Sequence, residues 1–453
     1  MSDVSFVRTE MLGEQAPPAT SVGLIGWVRA NLFSGWFNSI LTVLAVTAIF
    51  LVLRAVLPWI FSPTWNAVSL NECREILHEL GRGGEEGSGA CWGVIRDRWL
   101  QLLFGFYPPY PIAPDANFGA PPPDSGAWPA FFRPILAFTL LIVAVAPVLF
   151  DKLPRKILWL TAIYPFLFPW LLWGGSIWGP IMTAAGFVIA YFTYRIVSKA
   201  FGGLVGFIAA AVLPIIWWLF VSGLVVGVFD SILPIGIEPV ISRNFGGFML
   251  SITIGVVAIA CSLPIGIVLA LGRQSDLLIV KALCVGFIEF IRGVPLITLL
   301  FVASTLLNIF LPPGTNFDII LRVIIMVTLF AAAYMAEVVR GGLAALPSGQ
   351  YEAADALGLD YWKSQRLIIM PQALKISIPG IVSTFIGVFK DTTLVSIIGL
   401  LDPLGLSNAI RADMAWNGIV WEIYGFIALL FFVFCFSMSR YSMYLERRLK
   451  TTH

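Results

Sequence analysis

Apolar residues in this chain run on without the alternation of a strand or the one-sided stripe of a surface helix. Ten such runs, at 38–61, 131–150, 157–173, 177–194, 204–229, 247–271, 293–311, 319–339, 377–401 and 419–439, are long enough to cross about 30 Å of hydrocarbon. Lipid offers the backbone no hydrogen-bond partner, so each run predicts a helix. The pattern therefore predicts an all-α integral membrane protein with about ten transmembrane helices. The runs at 157–173 and 177–194 are short, rich in proline and tryptophan and joined only by Gly174, Gly175 and Ser176, which leaves open a bent or re-entrant pair.

Polar intervals divide these runs. The interval 62–130 carries GRGGEEGSG at 81–89 and the proline-rich pieces YPPYPIAP and APPPD. GRGGEEGSG lacks the Lys-Ser/Thr ending of a phosphate loop and reads as a flexible turn. Prolines and charge break the apolar pattern again at 230–246. The organisation expected is a segment 1–37, a five-span region 38–229 that includes loop 62–130, a connection 230–246, a second five-span region 247–445, and a tail 446–453. One further polar island, 346–375, lies inside the second region.

Composition agrees: 58% of the 453 residues are hydrophobic and 12% charged, with a mean hydropathy of +0.90. That excludes an ordinary soluble domain. A net charge of +2 gives no basic face for nucleic acid. Cations settle the expected orientation. If 1–37 is cytoplasmic, the inside loops hold Lys152, Arg155, Lys156, Arg195, Lys199, Arg273, Lys281 and Arg340, and Arg440, Arg447, Arg448 and Lys450 follow the last run. The short outside loops hold only Arg243 and Arg411. The positive-inside bias thus places both termini and the 346–375 island in the cytoplasm, and loop 62–130 outside. On an oxidising face, Cys73 and Cys91, eighteen positions apart, can close a disulfide, with a pair of unlinked thiols as the alternative. His78 and His453 are isolated and make no metal site.

The island reads LPSGQYEAADALGLDYWKSQRLIIMPQALK. Pro347 and Ser348 start a short helix, Gly358 suits a left-handed helix end, and Asp360 can cap a second helix near whose end Pro371 lies. Small Ala353 and Ala354 allow close approach by a partner. Glu352-Ala353-Ala354, then Gly358, then Ile368-x-Met370-Pro371 resembles the EAA loop of ATP-binding-cassette importer permeases, with Met370 where that family usually has Leu. The resemblance implies that Glu352, Ala353, Ala354, Gly358, Leu359, Ile368 and Pro371 dock on a separate ATPase subunit.

It extends through the second half. Phe290-Ile291-Arg292-Gly293-Val294-Pro295-Leu296, Ala336-Glu337-Val338-Val339-Arg340-Gly341-Gly342 and Phe389-Lys390-Asp391-Thr392-Thr393-Leu394 are similar to motifs of the polar amino-acid importer permeases. With its longer amino-terminal half, the chain resembles the larger permease subunits of general L-amino-acid importers. The resemblance implies a five-helix type I permease core at 247–445 and a bacterial inner-membrane location. It also implies an ATP-binding subunit dimer as partner, a second and shorter homologous permease, and a periplasmic amino-acid-binding protein. ATP and Mg would bind the ATPase; no cofactor is expected on this chain, which has no Gly-Lys dipeptide and hence no phosphate loop of its own.

Charge inside apolar runs marks a candidate path. Ionised groups at such depth cost several kcal/mol unless paired or wet. Glu289, Glu337, Lys390, Asp391, Thr392 and Thr393 are the candidates to line a passage for a substrate carrying both ammonium and carboxylate. Holding helices together is the competing role for the same charges. Arg292, Gly293 and Pro295 form a candidate hinge, with interface anchoring as the alternative. An ion-coupled secondary transporter and a non-transporting membrane scaffold are the rival readings; both leave the island unexplained.

Overall fold

A computed structural model describes residues 23–81, 89–108, 131–150, 152–306 and 318–449. Most of GRGGEEGSG, the proline-rich pieces beyond Pro108, the end of the 293–311 run and both chain termini lie outside the described residues. Two compact units emerge, Met1–Gly93 and Val94–His453.

In the first unit, Trp36–Ile60 is apolar all round and buries none of its residues, as a lipid-facing span does. Beyond it, Ser69 Oγ accepts from the Glu72 N–H and starts the helix Leu70–Glu79. Cys73 and Cys91 are disulfide-bonded and both are buried. Trp65 stacks on Trp92 with ring centroids 5.6 Å apart.

Within the second unit, helices long and apolar enough to span are Phe132–Leu149, Arg155–Trp173, Trp178–Phe201, Val205–Ile232, Gly247–Arg273, Ile319–Ala344, Tyr361–Ile398 and Trp421–Leu449. The centre is the pair Gly247–Arg273 and Ile319–Ala344. Their small residues let the backbones approach: Ala331, Ala332, Ala333 and Ala336 are buried, and a Cβ on Gly266 would stand 2.7 Å from that of Met335.

Three expectations change. The run at 293–311 is not one straight helix. Helix Leu278–Gly293 precedes it and meets Leu296–Thr305 at a bend of 102°. Val294 takes extended backbone and Pro295 has no N–H to continue the ladder. The second helix of the island does not end at Pro371 either. A π turn at Gln365–Ile369 reroutes the ladder, the Met370 N–H donating to the Gln365 carbonyl, and the helix continues to Asp391. Finally, interval 230–246 does not separate the compact units. Gly236–Ile237 pairs antiparallel with Gly175–Ser176, the Val240 N–H donates to the Trp173 carbonyl (2.8 Å), and Ser242 Oγ accepts from Trp173 Nε1 while donating to Asp318. The same junction is tied by Arg133, which is buried and donates to the carbonyls of Leu171, Leu172 and Glu238.

At the end of the bundle opposite the island, hereafter the far side, three chain segments cross. Gly105 bridges Phe245, Gly246 bridges Leu401, and the Gly247 N–H donates to the Leu401 carbonyl at 2.7 Å. A Cβ on Gly246 would lie 2.7 Å from that carbonyl oxygen, and one on Gly105 would enter the Gly246 backbone. Gly105 and Gly247 also have φ of +68° and +62°. Only glycine satisfies both demands.

Next to this crossing, beyond the end of the span at Ile398, Asp402 caps helix Pro403–Arg411 by accepting from the N–H groups of Leu404 and Gly405. Burial pushes its carboxyl up to about 6 from the ordinary 3.8, against the lowering effect of those hydrogen bonds. A raised folded-state pKa places the stabilising contribution below the unfolded value, to be lost as pH rises through about 6. Thermal stability of the protein in lipid is thus expected to fall between pH 4 and 7 by an Asp402 component that Asp402→Asn removes. Parallel pH profiles for the two proteins would rule this out.

Candidate functional site

The island folds as helix Gly349–Ala356, a turn, and the helix beginning Tyr361–Ser364. Gly358 makes the turn with φ +66° and open space around its Cα. Asp360 Oδ1 accepts from the Lys363 N–H at 2.9 Å, and the Lys363 ammonium sits 2.9 Å from Oδ2. The Lys363 side chain and backbone N–H hold this carboxyl below the usual carboxylate range.

Not every expected docking residue faces outward. Glu352, Ala353, Gly358 and Pro371 are exposed, Leu359 and Ile368 are half-buried, and Ala354 is fully buried within its own chain. Ala354 is therefore unavailable for close approach by a partner, because the short helix turns it inward. Exposed instead are Leu357, Tyr361, Trp362 (71%) and Leu367. Large apolar side chains held in a polar island are the sequence signal for this surface. Such a patch marks a contact surface.

The structure divides the expected path residues into two groups. Glu337 is the hub of the first. Arg273, from the end of Gly247–Arg273, and Arg340, 2.9 Å away, both bind it, and Arg292 stands 3.7 Å from it. Arg273 also reaches Glu289 at 2.9 Å. Three helices are tied on the island side of the bundle, and Arg292 also lies over the Tyr334 ring, 5.6 Å from its centroid. Arg273 was missing from the expected set; its place beyond an apolar run, facing two carboxylates from other helices, has no local signature.

Lys390, Asp391, Thr392 and Thr393 form the second group, about 30 Å up the helix from Met370 at 1.5 Å per residue. Lys390, itself exposed, and Thr393 line an open groove of ≈ 350 Å³ with Ala428, Phe431, Phe432 and Cys435; Glu289 and Glu337 do not. Asp391 is half-buried, and buried Thr392 donates to the Phe389 carbonyl. Trp416 is fully buried, its indole N–H donating to Asp97 at 2.8 Å.

Comparison with known proteins bears on this arrangement. Residues 262–451 match the profile of a family described as binding-protein-dependent transport system inner membrane components. Over 454 aligned residues the chain is 58% identical to a glutamate/glutamine/aspartate/asparagine transport system permease protein of Rhodobacter capsulatus, covering 100% of both. It is 38% identical to an inner membrane amino-acid ABC transporter permease protein of Escherichia coli, over 94% of this chain and 93% of that one. A probable glutamine ABC transporter permease of Bacillus subtilis is 30% identical, matching 91% of its own length but 45% of this chain.

Proposed function

The chain belongs to the permeases of amino-acid ABC transporters, and from that premise we propose that it carries glutamate, aspartate or their amides inward across a bacterial inner membrane, with the island and both termini cytoplasmic. The observation that carries this reading is one continuous helix. From Tyr361 through the π turn to Asp391 it joins the exposed island surface to the Lys390 group, a length of about 45 Å. A pull on Trp362 and Leu367 is transmitted along this helix to the residues around the groove.

The motor is a separate ATP-binding subunit dimer that grips the island. ATP and its magnesium bind there, since this chain has no phosphate-loop sequence. The relative similar over 91% of its own length is about half as long as this chain, which supports a second, shorter permease as the other half of the pore. A periplasmic binding protein delivers the substrate. Lys390 meets a substrate carboxylate, Asp391 the ammonium, and the Thr393 hydroxyl supplies a further hydrogen bond. Glu289 and Glu337, neutralised by arginines, hold helices rather than substrate.

The test is uptake of labelled glutamate by vesicles holding this chain, the second permease and the ATPase, with binding protein and ATP. ATP-dependent uptake that Lys390→Met lowers by at least tenfold is expected, since a hydrogen bond to a charged group is worth about 1.5–3 kcal/mol. Uptake driven by an ion gradient with the ATPase absent would refute the proposal.

A further inference from the structure

Residues 1–261 lie outside the family profile, yet one piece of them is built into the far side of the core. Helix Gly93–Phe104 ends at the glycine crossing, where Gly105 meets Phe245. Upstream in the same helix, Arg98 Nη2 reaches Asp413 Oδ2 at 2.7 Å, and Asp97 Oδ2 accepts from Trp416 Nε1 at 2.8 Å. Asp97 and Arg98 also pair with each other at 2.9 Å. Both partners belong to the connection between Pro403–Arg411 and the last span, Trp421–Leu449. Trp416 is fully buried, so this connection is fixed at an indole as well as at a charge.

The last span also packs against the helix that runs from the island to Asp391. Phe389, one residue before Lys390, stands 5.4 Å from Phe431 and 5.9 Å from Phe434, ring centroid to centroid, and Phe248 of the central pair touches all three. A displacement begun at the island thus reaches Trp421–Leu449 through aromatic contacts partway along it. Its effect depends on what holds the far end. A span pinned there tilts and opens one side of the bundle; an unpinned span slides as a whole and the displacement is dissipated.

We propose that Asp97 and Arg98 are positioning residues for transport: they clamp the 412–418 connection and make the far end of the last span the pivot about which it tilts. They touch no substrate. A longer permease thereby supplies from its own amino-terminal half a fixed point that the family core does not contain. The proposal rests on the ATP-driven reading above. Failure of that reading is visible first, as wild-type complex whose uptake does not need ATP.

The experiment reconstitutes the full complex and measures uptake and ATP hydrolysis together. Arg98→Ala and Trp416→Phe, the latter removing the indole N–H contact together with part of the buried ring system, are expected to lower substrate carried per ATP hydrolysed by about tenfold and about threefold, in line with coupling energies of contacting residues. Hydrolysis and the yield of assembled complex should stay near wild type. The reversed pair Arg98→Asp with Asp413→Arg should recover most of the ratio. A ratio unchanged in both single variants overturns the proposal. So does a loss of uptake that only follows the loss of assembled complex, or a reversed pair as deficient as Arg98→Ala.

Discussion

Gly358→Val is expected to reduce uptake at least tenfold while leaving membrane insertion intact. The effect comes from the backbone alone. Gly358 has φ +66°, and a Cβ there would meet nothing within 4 Å, so no side chain is displaced. An L-residue held left-handed costs about 1–2 kcal/mol, and more when β-branched. The turn relieves that cost by unwinding, which swings the Asp360 cap and exposed Tyr361 and Trp362 away from Leu357 and so breaks up the surface a partner grips. Gly349→Ala provides the comparison: it opens the short helix with no positive φ and open space, and should transport as wild type. Co-purification of the ATPase with each variant, alongside vesicle uptake, makes the measurement. If Gly358→Val retains both the ATPase and wild-type uptake, the island is not the coupling element.

Glu337→Ala is expected to be the most destabilising single change among the charged residues of the core. Its carboxylate is 16% exposed and faces three guanidinium groups from three helices. Its removal leaves Arg273, Arg292 and Arg340 facing one another with Glu289 as the remaining acid of the cluster. Removing one partner of this half-buried charge cluster costs about 1–3 kcal/mol, most of it the penalty of uncompensated charge. Arg340 is 44% exposed, so Arg340→Ala should cost under about 1 kcal/mol. Thermal unfolding in lipid nanodiscs checks both. Similar melting temperatures for the two variants would mean that Glu337 is no hub.

Much of this fold was legible from apolar run length, because a backbone in lipid has one local solution. Reading failed where length and apolarity were not decisive. Leu278–Gly293 carries Lys281, Glu289 and Arg292 among its apolar residues and turns by 102° at its end, so it gives no uninterrupted run. Pro371 reads as a stop because proline lacks the donor an α-helix needs, whereas the π turn before it changes which carbonyl each donor meets. In the site, the local devices were readable, namely Gly358 and the Asp360 cap. The division between the Arg273–Glu337 network and the Lys390 groove was not. It follows from which helix faces which, and residues 64 positions apart carry no mark of being 2.5 Å from each other. The same holds for Asp97 and Trp416, 319 positions apart.

The glycine crossing carries a consequence for biogenesis. Its third segment, Leu401, leaves the ribosome about 155 residues after Gly246, which at 5–20 residues per second is a delay of roughly 8–30 s. During that interval the Gly247 N–H lacks its acceptor and the earlier spans are already in the bilayer. Until Leu401 emerges the crossing is incomplete: Gly105 and Phe245 can already meet, while Gly246 and Gly247 still lack the Leu401 segment.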